Sequence, residues 1–144
     1  MPGITVGIDG SHDAHRALEW AMQEAAVRHV SLTVVTVNEV ASGWTGNPMI
    51  FTADEPALER ARHGVEEAVA KAAAQLGESQ PASVTVRAVN GFAAQELIEA
   101  SREADLLVVG SRGGGGFARL LLGSISDHVV HHAHCPVVVV PGQR

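Results

Sequence analysis

Two segments of the chain, residues 106–109 (LLVV) and Val137–Val140 (VVVV), are apolar at every position rather than at every second one. Successive side chains of a strand point to opposite faces, so a strand with one wet face alternates apolar and polar residues. A strand with no polar face needs cover on both sides, as in a parallel sheet sandwiched between helices. Parallel strands need long crossovers, and helical crossovers make right-handed βαβ units.

The rest of the chain supplies the alternation this requires. Ile4–Ile8 is a β-branched run that ends at Asp9-Gly10, and Ser11 is placed to cap a helix carrying Ala14, Leu18, Met22 and Ala25 on its apolar side. Residues 31–37 (SLTVVTV) read as a second strand. Leu58, Ala61, Val65, Val69, Ala72 and Leu76 follow one another at steps of three or four, one stripe of a long helix that Gly77 is suited to stop. Residues 84–89 read as a third strand, and Ala94, Leu97, Ile98 and Ser101 mark a short helix. A fourth strand at 106–109, a helix over 124–133 and a fifth strand at Val137–Val140 complete the series. The expected fold is a doubly wound α/β domain on a five-stranded parallel sheet. Such sheets bind ligands at the carboxyl ends of strands where strand order reverses, which singles out the loops after strands one and four.

At 144 residues the chain is one domain long, and 46% hydrophobic residues are enough for a core. Only 3% of residues are aromatic, so that core is aliphatic. The net charge of −6 gives no general attraction to nucleic acid or anionic lipid, and neither is expected as a partner. No apolar run approaches the roughly 20 residues of a membrane span. No charged-then-apolar leader is visible at Met1-Pro2-Gly3-Ile4, and Cys135 has no second cysteine to pair with. A reducing, cytoplasmic location is expected. Residues 39–55 (EVASGWTGNPMIFTADE) are long for a connection and carry Trp44, Met49, Ile50 and Phe51. They read either as a loop pinned to the body or as a lid or partner-contact segment.

Residues 110–124 (GSRGGGGFARLLLGS) hold six of the chain's 15 glycines between a buried strand and a helix. Glycine lets backbone approach a ligand without a Cβ in the way, and consecutive N–H groups form an anion-binding concavity. The next helix adds unpaired N–H donors and the positive end of its dipole. Arg112 and Arg119 bring cations to this stretch, and Ser124 can either cap the helix or offer its hydroxyl to a phosphate. The P-loop pattern does not fit, since no lysine precedes Ser124, and a dinucleotide fingerprint belongs after the first strand instead.

The spacing that does match is Gly110-x2-Gly113-x9-Gly123-Ser124. With the opening VGIDGS, the strand LTVVTV, the segment ADLLVVGSRGGGGFARLLLGSIS and the close HCPVVVV, the chain closely resembles the universal stress protein family along nearly its whole length, in the subgroup with an ATP-binding motif. The resemblance implies a single domain over 1–144 with a Rossmann-like fold of the adenine nucleotide alpha hydrolase-like kind. It implies that Gly110, Ser111, Arg112, Gly113, Gly123, Ser124 and Ile125 hold the triphosphate, with Gly114 as a further contact. It places Asp9 near ribose and adenine with Gly7 beside it, and Val37 against the adenine. ATP with Mg²⁺ or Mn²⁺ is the implied ligand, and homodimerisation through the last strand the implied assembly.

From its own sequence context, Asp9 reads equally as a ribose acceptor and as a turn residue bonding its own backbone. One departure concerns the proline that often follows the glycine after strand three; here Gly91 is followed by Phe92. The function implied is nucleotide-dependent regulation in a stress response, with an unidentified protein partner. A slow ATPase or nucleotide-transfer enzyme is the alternative, although no candidate base for phosphoryl transfer stands on the glycine stretch. His128, His131, His132 and His134 invite a zinc hypothesis, but structural zinc sites want cysteines or four converging ligands, and surface histidines near a helix C-terminus are the default. Cys135, ahead of Pro136, suits a small packed thiol.

Overall fold

The structure is a computed structural model that describes residues 3–9, 12–39, 55–111 and 123–141. In chain order its elements are β1 (Ile4–Ile8), α1 (His12–Arg28), β2 (Ser31–Glu39), α2 (Glu55–Leu76), β3 (Ser83–Gly91), α3 (Ala93–Ala100), a 3₁₀ turn (Ser101–Glu103), β4 (Leu106–Gly110), α4 (Ser124–His132) and β5 (Val137–Val140). The five strands form one sheet in the order β3-β2-β1-β4-β5, and each neighbouring pair is parallel. The expected doubly wound α/β fold is therefore present. Strand order reverses between β1 and β4, the two strands whose following loops were singled out.

The fully apolar strands are explained by two cores. Leu106 and Val108 of β4 pack with Leu18, Met22, Val65 and Ala72 on the α1/α2 face. Leu107 and Val109 pack with Leu97 and Val129 on the α3/α4 face. Leu107 and Val108 are wholly buried on opposite sides of the sheet, and each such side chain stabilises the fold by about 1.5–3 kcal/mol. Small residues let α1 lie close to the sheet: Ala17, Ala21 and Ala25 have no exposed surface. The α2 stripe faces the same core through Val65, Val69, Ala72 and Leu76.

Gly77 ends α2 with φ 64°, as its position foretold. The stop of α1 is a Schellman turn that the sequence does not advertise. His29 takes φ 57°, its N–H donates to Ala26 O, and the N–H of Val30 donates to Ala25 O. The apolar pattern also shortens β2 and β3. In the structure each strand runs to nine residues because the two pair in register from Ser31–Ser83 to Glu39–Gly91. Their polar ends are held by each other: Asn38 Nδ2 donates to Asn90 Oδ1 at 3.0 Å.

β3 and β5 are the sheet edges. Residues 40–54 lie outside the described residues, and with them the lid or partner-contact reading of segment 39–55. Among the described residues no helix is long and apolar enough to cross a membrane.

Candidate functional site

The reversal of strand order opens a crevice at the carboxyl edge of the sheet. β1 and β4 are paired at Ile4–Leu106, Thr5–Leu107 and Val6–Val108, and there the pairing stops. Both strands run two residues further, β1 held by β2 and β4 by β5. Their last residues have therefore parted from one another while remaining fixed to outer neighbours. The register then sets the rim. Asp9 is three residues beyond Val6, and Ser111 is three beyond Val108. Ile8 pairs with Thr36, so Val37 is the next residue beside Asp9. Val37 and Asp9 are thus neighbours across β2 and β1, about 5 Å apart as paired strands are, and Ser111 stands at the matching level on β4, across the crevice.

On the β4 side the rim is tied to the start of α4. The N–H of Ser111 donates to Val140 O at 2.9 Å, and the N–H of Gly123 donates back to Ser111 O. The Ser126 hydroxyl donates to Gly110 O. These bonds bring the first turn of α4 against the end of β4, although eleven residues of the chain separate Ser111 from Gly123. Ser126 was not among the residues singled out from the sequence. Its signal was the second serine of Ser124-Ile125-Ser126, which reads as helix interior until the structure shows where it points.

The cap of α4 differs from one of the two sequence readings. Gly123, in extended conformation at φ −70° and ψ 167°, is the N-cap, and among the described residues no side chain caps the helix there. Ser124 is the first helical residue and is exposed. A glycine cap leaves the first-turn N–H groups without the side-chain acceptor that serine would supply. Those donors and the helix dipole suit an anion. Asp127 in the same turn is also acidic, and its Oδ1 lies 3.6 Å from His131 Nδ1.

Gly7 has a packing role that the resemblance did not indicate. A Cβ built at Gly7 would stand 2.6 Å from Leu97 Cδ2 and 2.8 Å from Leu97 Cδ1. The missing side chain therefore lets α3 close on β1 just below the rim. Val37 is half-buried in the α3/α4 core, while Asp9 is exposed. Gly110, Ser111, Gly123, Ser124 and Ile125 gather on the β4 side. Arg112, Gly113 and Gly114 lie outside the described residues. Gly91, ahead of Phe92, takes φ 154°, and Phe92 is the exposed N-cap of α3.

Among the described residues, no three His, Cys, Asp or Glu side chains come together to hold a metal ion. Cys135 packs against the α3/α4 core. Burial pushes its thiol pKa up, Asp105 adds to the rise, and a backbone hydrogen bond from Leu107 opposes it. A raised thiol is a poor nucleophile at neutral pH.

Comparison with known proteins agrees with the fold. The fold superimposes on UspA of Lactobacillus plantarum with a TM-score of 0.79 at 22% identity, over 96% of this chain and 97% of that one. It also matches a universal stress protein solved in complex with cAMP, with a TM-score of 0.72 at 28% identity over 97% and 96% of the two chains. A universal stress protein of Mycolicibacterium smegmatis is 38% identical over 97% of this chain and 48% of its own length. One from Mycobacterium tuberculosis is 37% identical over 96% and 47%. The chain spans about half the length of the curated relatives it matches. The model of the universal stress protein family covers residues 2–141, and the chain belongs to that family.

Proposed function

We propose that this chain binds an adenine nucleotide, ATP together with Mg²⁺ or Mn²⁺, in the crevice between β1 and β4, and acts as a nucleotide-dependent regulatory protein of the stress response. The observation that carries the reading is the parting of β1 from β4 after Val6–Val108, with Asp9 on one lip and the Ser111–Gly123 junction on the other. In this reading the phosphates lie on the N–H groups of Ser124 and Ile125 and on the glycine stretch with Gly110, Ser111, Arg112, Gly113, Gly114 and Gly123. Asp9 accepts from the ribose, and Val37 borders the base. The match to a family member in complex with cAMP supports an adenine nucleotide as the class.

Binding without turnover is the favoured activity, because regulation needs only differential affinity of two states for the ligand. A slow ATPase or nucleotide-transfer enzyme is the second reading. Residues 1–144 serve as one domain, working in the cytoplasm, paired with a second copy through β5 and signalling to a protein partner. The net charge of −6 favours neither nucleic acid nor membrane.

The test begins with protein purified without added nucleotide, denatured, and assayed for released ligand. Calorimetry with ATP and Mg²⁺ then compares the parent chain with Asp9→Ala and Gly113→Val. A lost charge-assisted hydrogen bond costs about 1.5–3 kcal/mol, so Asp9→Ala should weaken binding by roughly 10- to 100-fold. No released ligand and no measurable affinity would overturn the proposal. ADP release at about 1 s⁻¹ or faster, over many turnovers, would favour the enzyme instead.

A further inference from the structure

The last turns of α4 carry an arrangement unrelated to the crevice. His128 and His132 are four residues apart, so they share a helix face. Their ring centroids are 4.5 Å apart with planes inclined at 43°. Both residues are exposed, so a bound ion keeps water on its remaining coordination positions and neither imidazole is desolvated beforehand. We infer that His128 and His132 form a two-point chelating site for an exchangeable late transition-metal ion, Zn²⁺, Cu²⁺ or Ni²⁺.

The chemistry follows from ligand type and spacing. Neutral imidazole suits zinc, copper and nickel, whereas Mg²⁺ and Mn²⁺ prefer oxygen. Zinc–nitrogen bonds are about 2.0–2.1 Å, so two nitrogens on one ion stand about 3 Å apart. Rings with centroids 4.5 Å apart reach that separation by side-chain rotation alone. The nearby His131 is engaged elsewhere: its Nδ1 lies 2.7 Å from the carbonyl oxygen of Asp127, one turn back. The site therefore offers two protein ligands, consistent with the absence of any three-residue metal cluster among the described residues. Position adds to it, since the negative end of the helix dipole attracts a cation to the last turn.

Two ligands make a site that loads and unloads, unlike a closed structural zinc. Because the pair is set at this spacing only while the helix is formed, a bound ion also holds the final turn of α4 in place.

The test is calorimetric titration of the full chain, free of any polyhistidine tag, with Ni²⁺ and with Zn²⁺ at pH 7.5. One ion per chain is expected. Loss of an outer-shell partner alone weakens metal sites by about 10- to 100-fold, so removing a ligand, as in His128→Ala or His132→Ala, should cost at least about tenfold. His131→Ala should leave affinity unchanged, since its Nδ1 is engaged with the Asp127 carbonyl. Circular dichroism checks that the exposed substitutions leave the fold intact. Affinity unchanged in both single variants, or no binding at millimolar ion, would overturn the inference. Neither result bears on nucleotide binding, which is measured without these ions.

Discussion

The hydroxyl of Ser126 donates to the carbonyl of Gly110, joining the first turn of α4 to the last residue of β4. Both ends of the bond are removed from bulk water: Ser126 is buried and Gly110 half-buried. An acceptor left unpaired in such a place costs about 1–3 kcal/mol. Ser126→Ala should lower unfolding stability by that amount in denaturant titration. It should also weaken nucleotide binding, because the α4 donors lose their anchor to the strand. Unchanged stability would mean that water or another group takes over the Gly110 carbonyl.

Gly7 and Leu97 make a second close junction. A methyl at Gly7 would overlap the tip of Leu97, and overpacking of this kind costs about 1–3 kcal/mol. Gly7→Ala should therefore be destabilising, and Leu97→Val should recover part of the loss by withdrawing the atoms in the way. A double-mutant cycle reads this directly: the coupling energy should be favourable by about 0.5 kcal/mol or more. Strict additivity would return Gly7 to the nucleotide alone.

These junctions show where reading from sequence succeeds and where it stops. The doubly wound parallel sheet was legible because residues 106–109 and Val137–Val140 lack a polar face, and the periodic stripe of α2 marked its buried side. Asp9 stood at the carboxyl end of strand one and Ser111 in the glycine stretch from the residues alone, but Val37 was legible only through a family pattern, since its place beside Asp9 depends on inter-strand register. Ser126, the Asn38–Asn90 pair and the Leu97–Gly7 contact were not legible at all. Each links residues distant in sequence through side-chain direction, which local periodicity does not encode.

The Cys135 thiol should titrate above its ordinary value, for burial raises it and Asp105 adds to the rise. The sign for stability follows from the proton favouring the folded state. The contribution is fully present below the unfolded-state pKa and is lost as pH rises through the higher folded-state value. Alkylation by iodoacetamide should therefore run slower than on a free cysteine at pH 8, and its rate should keep climbing into more alkaline solution. A thiol that alkylates fully at neutral pH would contradict the packing described for Cys135.

β5, at the edge of the sheet, turns part of its backbone away from β4. The N–H groups of Leu107 and Ser111 donate to the carbonyls of Pro136 and Val140. Backbone groups alternate along a strand, so residues 136, 138 and 140 turn theirs toward β4 while Val137 and Val139 turn theirs outward. Proline lacks an N–H and is tolerated on edge strands where that group faces away from the sheet. Val139→Pro should therefore spare the β4–β5 ladder while removing an outward donor, the one a second copy would need for pairing through this edge. Light scattering coupled to size exclusion should show a dimer for the parent chain and a shift toward monomer for the variant, with nucleotide affinity retained. A parent chain that is already monomeric at micromolar concentration would remove pairing through β5 from the proposed function. A variant that stays dimeric would move the interface to another surface.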